Sequence, residues 1–376
     1  MFGKSIELFK LFGFSVKIDL SWVVIAVLIT WTLANGFFPQ AFPDQTPATY
    51  WAMGVAGMLG LFVSIVLHEL SHSLVARRHG MQMKGITLFI FGGVAEMTDE
   101  PPSPKAEFQM AIAGPIASVV IAAVCFAVYR TGDALAWPVP VVGVFGELAL
   151  INAVLVAFNL VPAFPLDGGR VLRAALWHLQ GNIRRATRIT SQIGAGFGIF
   201  LIILGVISFI SGNFIGGMWY FLIGMFLRGA AQMSYQQLIV RRALEGEPVS
   251  RFMKTDPVTV PPELPLAQLV DQYVYHHHFK MYPVVDHGRL LGCVTTRHVR
   301  DVPRDEWTTR TVGDIVDACS EANTMPPTLD AMEALTRMNQ NQASRAMVVE
   351  NGTLVGVISL KDMMQFLSTK IELEGN

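Results

Sequence analysis

The chain has 376 residues, of which 52% are hydrophobic and only 15% charged, a composition that argues against a wholly soluble protein and points to the membrane class. Its formal net charge of −1 conceals a split, +5 over residues 1–244 and −6 over residues 245–376, so a basic membrane part is cancelled by an acidic soluble part and nucleic-acid binding has no support. Three scattered cysteines, Cys125, Cys293 and Cys319, without C-x-x-C spacing argue against both a disulfide framework and a thiolate zinc site.

Lys4, Lys10 and Lys17 precede an apolar segment over residues 20–34. No A-x-A cleavage pattern follows it, so the segment reads as a retained first membrane helix and not as a cleaved signal. A second span over residues 51–76 carries His68-Glu69-Leu70-Ser71-His72. Residues four apart share one helix face, so His68 and His72 can offer two imidazole nitrogens to one zinc ion, with Glu69 beside them as a base. Histidines that merely pack between helices are the weaker reading, because ionisable groups inside a membrane are costly and functional by default. A catalytic zinc takes three protein ligands and keeps a fourth position open, so the chain must supply one more.

Residues 85–97 are too few to span as a helix, and their β-branched and aromatic content suits a strand or a re-entrant hairpin. A third span covers 108–129, where Gly114-x-x-x-Ser118 reads as a close helix contact. A fourth, 141–163, ends in the stretch Asn159 to Gly169, whose Pro162, Pro165 and paired glycines rule out a continuous helix. Asp167 within that stretch is the candidate third ligand. An amphipathic segment over 170–179 and two further spans, 189–210 and 214–227, bring the total to six. Gly194 and Gly198 read as helix contacts, and His178 as an interfacial residue. With the amino terminus inside, 15 of the 16 basic residues before position 245 fall on the cytoplasmic side, leaving Arg130 outside. The same topology puts His72 and Asp167 at the cytoplasmic ends of their spans.

From about residue 249 an internal repeat is visible: residues 283–295 align with residues 347–359, each reading as strand, turn, strand with flanking helices. His276, His277 and His278 are adjacent and cannot all reach one ion from a helix, so they read as a solvated face.

An HExxH inside a membrane segment, followed by N-x-x-P-x-x-P-L-D-G-G in a later one, resembles the site-2 protease family, and the repeats resemble a cystathionine-β-synthase (CBS) domain pair. The resemblance implies a mainly α-helical multi-pass domain of six transmembrane helices with a short re-entrant β segment, followed by a soluble α/β CBS pair. The divisions expected are 1–244, 245–311 and 312–376. It implies an intramembrane zinc metalloprotease that cleaves single-span membrane proteins, such as anti-sigma factors or membrane-tethered regulators. His68, His72 and Asp167 would hold one Zn2+ per chain and Glu69 would be the catalytic base. The residues 85–97 would clamp an unwound substrate strand. Asn159 matches the family's Asn and would serve substrate or oxyanion, or else bridge two helices. The CBS ligand signature is intact as Gly356, Ser359 and Asp362; its counterpart Gly292, Thr295 and His298 lacks the Asp. One ATP or AMP per pair is the expectation, against a purely structural dimerisation module. A homodimer through the CBS domains is expected, with these domains and the amino terminus cytoplasmic. The rival readings are a CBS-regulated metal transporter or channel, and an inactive scaffold homologue. The first does not explain a glutamate between two ligands, and an intact HExxH with Asp167 disfavours the second.

Overall fold

The structure, a computed structural model, describes residues 5–81, 83–90, 92–97 and 100–374 and divides into two compact units, Met1–Gln236 and Gln237–Asn376. The first unit opens on a hairpin, Ile6–Leu11 (β1) and Phe14–Ile18 (β2). Its two-residue turn places Phe12 at φ 51° and Gly13 at φ 89°, the pair of positive values that matches the twist of adjacent strands. There follow Leu20–Ala41 (α1), Pro47–Arg78 (α2), Met83–Phe89 (β3), Gly92–Met97 (β4), Pro104–Ala134 (α3), Val139–Asn159 (α4), Asp167–Gln180 (α5), Ile183–Ile210 (α6) and Phe214–Leu244 (α7). Six of these, α1 to α4, α6 and α7, are long and apolar enough to cross a membrane.

Local chemistry starts and stops these helices. Thr46 and Ser103 accept from Thr49 N–H and Ala106 N–H at 3.2 Å each, with proline at the first turn of α2 and α3. Helix α4 ends at Asn159, before the expected residue 163, because Pro162 has no N–H to continue the ladder. Helix α7 runs on past residue 227 to Leu244, since the polar residues beyond its apolar run are mostly good helix formers. Polarity is inverted relative to a water-soluble bundle: Val120, Leu150 and Phe200 face outward, whereas Ser64, Glu107, Ser118 and Asn152 are buried. The glycines of α6 and α7 permit two close crossings, where a Cβ on Gly198 or Gly205 would lie 2.7 Å from the facing carbonyl of Gly224 or Gly217.

The expected β segment is present as the β3–β4 hairpin, but it belongs to a larger sheet. The order is β1-β2-β3-β4, with β2 and β3 parallel, joined through α1 and α2. Val16, Ile86 and Leu88 pack this sheet onto Val66 and Leu70 of α2, fixing β4 beside the helix that carries the two histidines.

The second unit contains two three-stranded sheets, the first of which takes its third strand from the start of the second repeat. Met281–Asp286 (β5), Arg289–Thr295 (β6) and Asp317–Ala318 (β7) make the first; Thr324–Met325 (β8), Arg345–Glu350 (β9) and Thr353–Ser359 (β10) make the second. The aligned turns His287-Gly288 and Asn351-Gly352 share positive φ values of 46° and 85°, and 51° and 81°. Met281, Leu290, Cys293 and Met347 pack together where the sheets meet. Burial, with the Asp317 carboxylate adding to it, pushes the Cys293 thiol up to about 12, so it stays neutral in this core. Met347 is 0% exposed there, and Met347→Ala is expected to cost about 2–5 kcal/mol, seen as an earlier denaturant midpoint for the second unit within the full chain.

Candidate metal centre

Along α2 the residues Ser64, His68 and His72 recur every four positions, one buried stripe on the helix. His68 is 4% and His72 8% exposed, and Asp167, the first residue of α5, meets them from a different part of the chain. Asp167 Oδ2 lies 3.1 Å from His68 Nε2 and 3.2 Å from His72 Nε2, and the two Nε2 atoms are 3.2 Å apart. Among the described residues this is the one cluster of three His, Cys, Asp or Glu side chains arranged to hold a metal ion.

Both rings are gripped from behind by α3. His72 Nδ1 donates to the Met110 carbonyl at 2.7 Å, and because a carbonyl can only accept, this bond fixes the tautomer and leaves the Nε2 lone pair facing the cluster. Ser118 Oγ is 2.9 Å from His68 Nδ1 and fixes the second ring. Between them, Gly114 leaves the space the rings occupy: an added Cβ would fall 2.2 Å from His72 Nε2 and 2.6 Å from His68 Nε2. Gly114 and Ser118, read from the sequence as a helix contact, thus form the wall of the site.

The placement of Asp167 depends on a loop, Leu160 to Leu166, folded against the start of α5. A Cβ on Gly168 would lie 2.3 Å from the Leu160 carbonyl oxygen and one on Gly169 2.3 Å from Phe164 N, so both glycines after Asp167 are needed for the loop to pass. Gly194 of α6 serves the same end, its Cβ position being 1.9 Å from the Phe164 carbonyl oxygen. Phe164 is buried, with the Arg173 guanidinium 5.1 Å from its ring centroid.

Glu69 is half-buried and passes directly under β4, where a Cβ on Gly93 would meet its Cγ at 2.5 Å and Oε1 at 2.9 Å. Asn159 stands half-buried at the last residue of α4, and its side chain makes no hydrogen bond among the described residues. An apolar cavity of about 280 Å³, walled by Trp22 of α1, Phe62 and Ile65 of α2, Phe89 of β3, and Val154 and Phe158 of α4, adjoins β4.

The donor set suits zinc. Ligand bonds near 2.0–2.2 Å in a tetrahedron require donor separations of about 3.3 Å, close to the separations found. Histidine and carboxylate ligands with a carbonyl and a hydroxyl behind the rings are the usual supports of such an ion. Three ligands leave room for a water, and a carboxylate next to that position can take its proton.

The predicted CBS residues belong to the second unit. Ser359 Oγ accepts from Asp362 N–H at 3.2 Å and its hydroxyl meets Asp362 Oδ2, while Lys254 Nζ is 3.6 Å from Asp362 Oδ1. Gly356 is packed against Lys254, its Cβ position 2.7 Å from that residue's carbonyl oxygen. In the first repeat Thr295 caps a short helix, accepting from His298 N–H at 3.3 Å. His178 is exposed, and His277 stacks on Phe279 at 5.6 Å, so neither joins the cluster.

The family description "Peptidase family M50" matches residues 56–134 and 132–205, and "CBS domain" matches 249–305 and 312–369. Rip3 of Mycobacterium tuberculosis is 34% identical over 369 residues, covering 96% of this chain and 93% of that one. A zinc metalloprotease of Methanocaldococcus jannaschii is 31% identical over 365 residues, covering 97% and 96%. Among solved structures, a site-2 protease from Methanocaldococcus jannaschii superposes with a TM-score of 0.44 at 31% identity, over 61% of this chain and 94% of that one.

Proposed function

The chain belongs to peptidase family M50, the site-2 proteases, joined to a CBS domain pair, and from that premise we propose an intramembrane zinc metalloprotease that cleaves single-span membrane proteins. The observation that carries this reading is the meeting of His68 and His72 with Asp167, 99 residues after His68 in the chain, at donor distances of 3.1–3.2 Å. In this reading those three residues are the ligands and Glu69 the catalytic base. A bound zinc ion supplies Lewis acidity, making water acidic near neutral pH and polarising the scissile carbonyl. Glu69 takes the proton from the attacking water as the C–O bond forms, then delivers it to the amide nitrogen as the C–N bond breaks. Asn159, with its amide uncommitted, is placed by this reading to donate to the substrate carbonyl as negative charge develops.

A substrate helix hides its carbonyls in its own hydrogen bonds and must unwind before attack. β4 ends the sheet, so its outer edge can take an extended peptide as a further strand, replacing the bonds lost on unwinding. Its closeness to Glu69 at Gly93 brings such a strand to the base, and the apolar cavity beside it suits the residues that remain in lipid. Reconstituted protein should release product from a single-span substrate, and chelation should abolish release with recovery on adding zinc. Product formed undiminished in the chelator would sink the reading.

The arrangement we favour puts the membrane domain at 1–244 and the CBS repeats at 245–311 and 312–376, with the amino terminus and CBS pair cytoplasmic and the pair linking two chains. The second repeat would hold ATP or AMP, the Ser359 hydroxyl bonding phosphate and Asp362 accepting from ribose. Calorimetric titration of the full chain should give one site per chain. Asp362→Ala should weaken it at least tenfold, whereas unchanged binding would leave the pair as a structural module.

A further inference from the structure

One buried pair of opposite charges takes no part in the chemistry above. Glu107 of α3 is 0% exposed and Arg173 of α5 7%. Arg173 Nε donates to Glu107 Oε1 at 2.5 Å, and its Nη2 reaches the same oxygen. Replacing such a pair by apolar residues often costs nothing in stability, so stability alone is a poor account of its presence.

Its position suggests another. On α3, Glu107, Met110, Gly114 and Ser118 follow one another at three- and four-residue intervals and share one face. The last three grip or wall the imidazoles, and Glu107 continues that face by one turn. On α5, Arg173 is six residues after Asp167, about 9 Å along the axis at 1.5 Å per residue. The guanidinium also lies over Phe164 in the loop that delivers Asp167. Arg173 therefore joins the face that holds the histidines, the helix that carries the aspartate, and the loop before it. The two histidines share a helix and keep their spacing without help; the aspartate arrives from another segment and does not.

We propose that Glu107 and Arg173 are positioning residues, locking α5 onto α3 so that the Asp167 carboxylate is held at ligand distance from His68 and His72. The inference rests on the reading of those three residues as zinc ligands. Outer residues that orient ligands commonly contribute 10–100-fold to metal affinity.

Full-length protein in detergent, with zinc affinity measured by competition against a chromophoric chelator and helix content by circular dichroism, provides the test. Glu107→Gln and Arg173→Gln should each keep the helix content, bind zinc about 10–100-fold more weakly and lower kcat with KM nearly unchanged. Arg173→Lys, which keeps the charge but loses the planar fork, should recover part of the loss. The reversed pair, Glu107→Arg with Arg173→Glu, should bind zinc more tightly than either single reversal. Should the glutamine variants fail to fold, Arg173→Lys and the reversed pair decide the matter. Folded variants with wild-type zinc affinity and kcat would overturn the positioning role and leave the zinc reading standing. Wild-type protein with no tight zinc site would overturn both.

Discussion

Glu69→Gln protein should purify with one zinc per chain and cleave a reconstituted substrate about 10²–10⁴-fold more slowly than wild type, the usual contribution of a general base. The substitution is nearly isosteric, and the side chain is not among the three that form the cluster. Metal content should therefore be untouched while the proton acceptor is lost. The result separates roles that a histidine substitution would merge. Substantial proteolysis by the variant would remove Glu69 from its assigned role, and loss of zinc would make it a ligand instead. A metal transporter built on the same residues predicts neither cleavage by wild type nor its loss here.

Gly114→Ala should abolish stoichiometric zinc binding, and with it cleavage. The added methyl would sit 2.2 Å from His72 Nε2 and 2.6 Å from His68 Nε2, the atoms that face the cluster. Retreat from the methyl would break the bonds that Met110 and Ser118, on the same helix, make to both Nδ1 atoms. Either α3 moves away and releases the rings, or the rings turn and lose Asp167; both separate the donors. Gly229→Ala is the control, since nothing lies within 4 Å of its added Cβ; it should bind zinc as wild type does. Metal content measured by mass spectrometry on both purified variants checks the pair, and a fully loaded Gly114→Ala protein would show that the rings are not where the account needs them.

Much of the site can be read from residues. His68 and His72 announce themselves because four-residue spacing on a helix is a local property, and Asp167 because prolines and glycines break an apolar run around a carboxylate. The six spans follow from hydropathy, and the repeated CBS units from self-similarity ending in matched His-Gly and Asn-Gly turns. What stays hidden depends on contacts between distant segments. Ser118, Met110 and Glu107 acquire meaning only when α3 is laid against α2 and α5, and the Met110 contribution is a backbone carbonyl that no side-chain pattern encodes. A trace was available all the same: Glu107, Gly114 and Ser118 fall on one face of an apolar segment, and an acidic residue there is seldom idle. The β1–β2 hairpin is hard to see in the sequence because its strands are short and precede a strong helix signal. Their alternation around Phe12-Gly13 is the only local clue, and the parallel pairing of β2 with β3 spans two membrane helices.

X-ray absorption at the zinc edge of the purified full-length protein addresses the centre itself. Two imidazoles and one carboxylate predict a first shell of nitrogen and oxygen only, at about 2.0–2.1 Å, with the outer-shell scattering of two histidine rings, and loss of one light scatterer in Asp167→Ala. A sulfur shell, a single-histidine signature, or a first shell unaltered by Asp167→Ala would contradict the account.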